Sequence, residues 1–150
     1  MRIQIAAERP SSFIHALLTI WEASVSATHQ FLVKKDILAI KPFVKTVLEE
    51  IPSLTYMAEA EGMPIGFMGV DGDKIEMLFI SPARRSLGHG RRFIRYAVHT
   101  LGATYVDVNE QNTQGVGFYE HVGFKAFKRS AYDGQGNPFP LLHMKMDSLF

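Results

Sequence analysis

Arg85-Ser86-Leu87-Gly88-His89-Gly90 brings together residue types suited to holding an anion. Glycine has no Cβ, so an anion can approach the backbone closely, and a helix that follows offers unpaired N–H groups. Five of the eight arginines fall between 84 and 95, namely Arg84, Arg85, Arg91, Arg92 and Arg95. Guanidinium forks match phosphate oxygens, so several could line one phosphate path. The loop is not a Walker loop, because no Gly-Lys-Ser/Thr follows. Nor is it the dinucleotide fingerprint, because Gly88-His89-Gly90-Arg91-Arg92-Phe93 has Phe where a third small residue belongs. Two glycines beside a basic helix are also common without any ligand, so the loop alone leaves both readings open. Other chemistries lack their parts. Six histidines show no His-x3-His pair, so no metal site is expected. No Gly-x-Ser-x-Gly elbow occurs, and the absence of cysteine removes thiolate ligands, disulfides and cysteine nucleophiles.

The elements that must position this loop follow from periodicity. Residues 2–6 alternate weakly as a first strand. Pro10-Ser11-Ser12 starts a helix with Phe13, Leu17, Trp21 and Val25 on one stripe and Ile14 and Leu18 beside it. A second helix is expected over about 34–51, kinked or restarted at Pro42 and ended by Pro52-Ser53. Residues 54–60 and 64–70 form a hairpin around Glu61-Gly62-Met63, and Asp71-Gly72-Asp73 turns into an apolar strand, Lys74–Ile80. After the loop, Phe93, Ile94, Ala97, Val98 and Leu101 mark a helix closed by Gly102. Thr104–Val108 is a strand, 113–121 a short helix weakened by Gly115 and Gly117, and 125–132 and 139–146 are the last strands. The order β-α-α-β-β-β-α-β-α-β-β contains both hairpins and helical crossovers. An α+β fold is therefore expected, a mixed three-layer α/β/α arrangement with a central mixed sheet of about seven strands, helices on both faces, and strands four and five parallel.

Composition sets the outer bounds. A chain of 150 residues with 47% hydrophobic and 21% charged residues reads as one globular domain over 1–150. Lys+Arg 16 against Asp+Glu 15 gives a net charge of +1, which argues against a dedicated nucleic-acid binder. No apolar run approaches the roughly 18 residues of a membrane span, and the first residues show no secretory pattern, so a cytoplasmic protein without membrane association is expected.

Strand, Pro82, then Arg-x-x-Gly-x-Gly opening a helix resembles the acetyl-CoA signature of the Gcn5-related N-acetyltransferases, the GNAT superfamily. Asn112-x6-Tyr119-x3-Gly123-Phe124 resembles that family's second block, spacing included. The likeness covers about 54–127 directly, and the element order extends it along the chain. Residues 20–32 and Pro138-Phe139-Pro140-Leu141-Leu142-His143 look like a bacterial GNAT subfamily of unsettled substrate. Two departures stand out: His89 replaces an aliphatic residue between the glycines, and Gly115 replaces an alanine.

The resemblance implies acetyl-CoA as cosubstrate, held by Leu78, Phe79, Ile80, Arg85, Ser86, Leu87, Gly88, His89, Gly90, Arg91, Asn112, Phe118 and Tyr119. The amides of Phe79 and Ile80 would hold the pantetheine arm and a developing oxyanion. Tyr119 is the implied general acid for the leaving thiolate, since a phenol with reference pKa near 10 stays protonated at neutral pH. Glu76, sharing a strand face with Leu78 and Ile80, is the expected base acting through water, with His143 and His29 as alternatives. Trp21, His29 and His143 are expected to shape the acceptor site. The acceptor itself stays open among polyamine-like, amino-acid, aminoglycoside and protein amines, on a monomer or homodimer. An acyl-CoA sensor without turnover, or nucleic-acid binding through Arg84–Arg95, are the competing functions.

Overall fold

The computed structural model describes residues 1–28 and 32–147. Seven strands form one sheet in the order β1-β2-β3-β4-β5-β7-β6. They are β1 (Gln4–Ile5), β2 (Ser53–Ala58), β3 (Pro64–Asp71), β4 (Lys74–Ile80), β5 (Tyr105–Asn109), β6 (Phe124–Ser130) and β7 (Leu141–Met146). The helices are α1 (Ser11–Thr28), α2 (Lys34–Glu50), α3 (His89–His99) and α4 (Thr113–His121), with a 3-10 turn at Pro82–Arg84. Every neighbouring pair is antiparallel except β4 and β5, which the α3 crossover forces parallel. Among the described residues no helix is long and apolar enough to cross a membrane.

Alternation along β3 splits the core into two. Phe67 packs with Leu17, Trp21 and Val25 of α1 and Ile37, Val44 and Leu48 of α2, whereas Met68 faces the other way onto Phe93, Ile94 and Ala97 of α3. Pro42 lies inside α2, and the helix runs on through it instead of restarting. Buried Ile37 before the proline and Val44 and Leu48 after it belong to one cluster, so packing offsets the missing backbone donor. Gly102 ends α3 as its sequence demands. With φ +67 it lets the Ala103 N–H reach back to the Ala97 carbonyl at 2.9 Å.

The α1/α2 cluster takes its sheet residues from β2, β3 and β4, including Leu54, Tyr56, Phe67, Met77 and Phe79. The same face of β5, β7 and β6 carries Tyr105 and Phe127, whose exposed rings stack edge-on at 6.1 Å. Among the described residues no helix covers that side of this half of the sheet.

Candidate active site

The parallel seam between β4 and β5 holds for only two residue pairs, Lys74↔Tyr105 and Ile75↔Val106. Beyond Ile75 the strands part. On the other edge of β4 the register moves from Val70↔Ile75 to Gly69↔Met77, which leaves Glu76 as an extra, unpaired residue. This bulge reverses the alternation, as bulges do. Ile75, Leu78 and Ile80 therefore face the α3 side together, and Met77 and Phe79 face α1. Glu76 does not share the face of Leu78 and Ile80, contrary to a plain strand reading.

The gap between β4 and β5 is a cavity of about 520 Å³, walled by β4, β5, the 85–91 loop, α4 and the end of α1. Its two ends differ in charge. Arg85, His89 and Arg91 stand where β4 gives onto the loop, and Glu76 and Asp107 stand near the opening of the strands. Four residue steps along the strand lead from Glu76 to Ile80, about 13 Å.

Each predicted residue has a definite place. Ser81 N–H bonds to Ile65 O at 2.8 Å, so by antiparallel alternation the Phe79 amide turns to β3 as well. The amides facing the gap are those of Leu78 and Ile80, which corrects the expected pair of Phe79 and Ile80. The Ile80 carbonyl also faces away from β3, where it accepts from Ser24 Oγ at 2.9 Å. Gly88 precedes α3 with φ +83, Ser86 has φ +63, and no side chain caps the helix. The first bond within α3 is Arg92 N–H to Gly88 O at 3.2 Å, so the His89 and Gly90 amides come before it. Gly90 is small for a different reason from Gly88: a Cβ there would sit 3.1 Å from the Phe118 ring. Arg85 donates to Ser24 O at 3.4 Å, and Arg84 leaves the cavity to pair with Glu59.

His89 Nδ1 is buried without a hydrogen-bond partner among the described residues. Burial, then the charges of Arg92 and Arg84, push this imidazole below the usual histidine range, so it is neutral at pH 7. A partnerless ring nitrogen beside the uncapped amides of α3 fits a phosphate-bearing ligand in the cavity.

Asn112 caps α4 by accepting from the Gly115 N–H at 3.1 Å, while also lining the cavity. A Cβ on Gly115 would meet Asn112 Nδ2 at 2.5 Å. The glycine thus makes room for the cap and is more than a weak point in the helix. Tyr119 is 9% exposed, set edge-on between Phe118 (5.1 Å) and Phe124 (5.5 Å), and lines the cavity. Its hydroxyl has no hydrogen-bond partner among the described residues, and burial pushes the phenol pKa far up.

Three expectations miss the cavity. Trp21 is 4% exposed within the α1/α2 core, because α2 lies over the stripe that carries it. Leu87 points to solvent. His143 lies outside the cavity wall but next to it, bonded to Asp107. His29 lies outside the described residues. Asp107 was not singled out from sequence, yet the signal was present. Val106 and Val108 are buried on the core side of β5, so the residue between them must face the other way.

The chain matches the family described as Acetyltransferase (GNAT) domain over residues 30–148. It is 40% identical over 128 residues to the peptidyl-lysine N-acetyltransferase YjaB of Escherichia coli K12, covering 85% of this chain and 86% of that protein. The solution structure of apo-form YjaB from Escherichia coli superposes with a TM-score of 0.87 at 37% identity, over 99% of this chain and 100% of that one. PaiA N-acetyltransferase from Thermoplasma acidophilum, solved with coenzyme A, shares the fold with a TM-score of 0.68 at 19% identity, over 97% of this chain and 99% of that one. The gap beside β4, the uncapped glycine loop and these likenesses agree: the chain belongs to the GNAT acetyltransferases and moves an acetyl group from acetyl-CoA to an amine.

Proposed function

We propose that the acceptor is the side-chain amine of a lysine in a peptide or protein. The observation that carries this reading is the charge of the cavity. Its basic end suits a polyanionic cosubstrate, and its other end holds two carboxylates, Glu76 and Asp107, that share one cation, Lys74, so the negative charge left over favours a cationic amine. The open face of β5, β7 and β6 leaves room for chain on either side of the lysine. The 40% identity to a protein named for peptidyl-lysine acetylation supports the same acceptor.

Acetyl-CoA, when bound, supplies an acetyl thioester that an amine can attack. The loop amides of His89 and Gly90, with Arg85 and Arg91, hold the phosphates. The gap-facing amides of Leu78 and Ile80 donate to the thioester arm and to a carbonyl oxygen as charge builds on it. One such donor is typically worth about 2.7–4 kcal/mol. Tyr119 keeps its proton at Oη because burial disfavours the phenolate, and it delivers that proton to the departing sulfur. Phe118 and Phe124 fix the ring, so the hydroxyl is aimed before anything binds.

The test is a competition among amines. Purified protein with acetyl-CoA is offered lysine peptides, the same peptides with only a free N-terminus, spermidine and an aminoglycoside, and products are read by mass spectrometry. Acetylation on lysine Nζ in preference to the others is the expected result. Turnover confined to spermidine or the aminoglycoside overturns the reading.

A further inference from the structure

On the sheet face that carries Tyr105 and Phe127, two rows of side chains cross from β5 to β6. Tyr105, Lys145 and Lys125 stand opposite one another in the first row, and Asp107, His143 and Lys128 in the second. Phe127 is the extra residue of a bulge in β6, and its ring bridges the rows, 6.1 Å from Tyr105 and 6.5 Å from His143. The middle of the second row satisfies itself. His143 bonds Asp107 at 2.7 Å and Ser130 at 2.6 Å, and Lys74 reaches Asp107 from β4 at 2.6 Å. The other three lysines do not share in this. Lys125, Lys128 and Lys145 are exposed, and none of them pairs with a carboxylate among the described residues. Lys145 Nζ instead lies over the Phe127 ring, 5.7 Å from its centroid. Asp147, exposed two residues past Lys145, offsets only one of the three charges.

From this surplus we infer that the face docks an acidic stretch of the polypeptide whose lysine enters the cavity. The inference rests on the lysine acetyltransferase reading above and narrows it to lysines with Asp or Glu close by in sequence. Asp107 joins the two places, since it lines the cavity and also stands in the second row. Strands lie about 4.8 Å apart and rise about 3.3 Å per residue, which sets the Lys145 backbone about 8 Å and the Lys125 backbone about 12 Å from that of Asp107. An extended peptide covers those distances in about two to four residues. Acidic side chains at that separation from the acceptor lysine meet the unpaired ammonium groups, and the exposed rings of Tyr105 and Phe127 give their stems an apolar floor. A second copy of this chain does not fit, because it would set lysine against lysine. A nucleic-acid strand would meet the Asp107 carboxylate in the middle of the face, on a chain whose net charge is only +1.

Exposed ion pairs are weak singly, each a factor of about 1.4–5 in affinity. Two or three acting together should favour an acidic-flanked lysine peptide over its serine-flanked counterpart by about tenfold in kcat/KM at low salt, through KM and not kcat. The preference should fade near 1 M salt, where the screening length is about 3 Å.

The experiment compares lysine peptides of one length, flanked by Asp, Ser or Lys, on the parent and on the double variant Lys125→Glu/Lys145→Glu. Both positions are exposed, and acetyl-CoA calorimetry with the thermal midpoint checks that the variant is folded. The parent should prefer Asp over Ser over Lys flanks, and the variant should reverse that order with the acetyl-CoA Kd unchanged. A parent indifferent to flanking charge, or a variant that keeps the parental preference, overturns the inference. Fluorescence anisotropy adds a readout without turnover: the labelled Asp-flanked peptide, carrying acetyl-lysine, should bind the parent several-fold more tightly than the variant. A single-stranded RNA that binds the parent more tightly than this peptide, and loses that binding in the variant, makes the face a nucleic-acid surface and overturns the inference as well. Parent protein active on spermidine or an aminoglycoside and on no lysine peptide defeats the acceptor reading instead. Anisotropy then decides the face alone: peptide binding weakened in the variant upholds it, and no binding to the parent overturns it.

Discussion

Replacing Tyr119 by phenylalanine separates an acid from a packing residue, because the change keeps the ring contacts and removes only the proton donor. The ring sits between Phe118 and Phe124, and phenylalanine keeps both edge-on contacts. The hydroxyl makes no protein hydrogen bond among the described residues, so no partner is orphaned. The hydroxyl opens into the cavity, so removing it should leave folding stability nearly unchanged. The rate should fall. Losing a general acid costs about 10²–10⁴-fold in kcat, or roughly 3–5 kcal/mol of barrier. Acetyl-CoA affinity should change by less than about tenfold, since one hydrogen bond to a charged group is worth about 1.5–3 kcal/mol at most and this phenol meets a neutral thioester. The assay is single-turnover transfer to an identified amine, with calorimetry for acetyl-CoA and thermal unfolding for stability. Because burial pushes the phenol up, no falling limb from Tyr119 should appear below pH 10. A phenylalanine variant at the parental rate, with chemistry rate-limiting, would refute the acid role. A variant both slow and unfolded at the assay temperature would show that the ring's environment has been misread.

Gly88→Ala forces a side chain into φ +83, at a cost of about 1–2 kcal/mol by urea unfolding. It should also raise the acetyl-CoA Kd as the loop amides shift, and an unchanged Kd would take this loop out of the site. In α4, Gly117 has open space around its missing Cβ, so Gly117→Ala should gain about 1 kcal/mol. Gly115→Ala should gain clearly less, because its Cβ displaces the Asn112 cap, and equal gains would refute the capping account. The folded-state pKa of Asp107 is depressed, so its contribution to stability is present above about pH 4 and is lost as the pH falls through the folded value. The stability gap between parent and Asp107→Asn should therefore narrow from pH 7 to pH 3, and a constant gap would contradict the bonding from Lys74 and His143.

What the sequence determined by itself is what depends on neighbours along the chain. Lys74–Ile80 reads as a strand from its apolar run, and residues 113–121 read as a short helix even with two glycines. Gly102 marks the end of α3 because only a residue at ease with positive φ completes that turn. The glycine loop was legible for the same reason: its chemistry resides in backbone shape. Tertiary structure decided the rest. Whether Glu76 joins the face of Leu78 depends on the register against β3, which no local pattern encodes, and one extra residue moved it. Trp21 had the same helical stripe whether it faced a ligand or a core, and the position of α2 chose the core. Ser130, His143 and Asp107 are separated by 13 and 36 residues along the chain. Only the order β5-β7-β6 in the sheet, which sets adjacent strands about 4.8 Å apart, makes hydrogen-bonded neighbours of them.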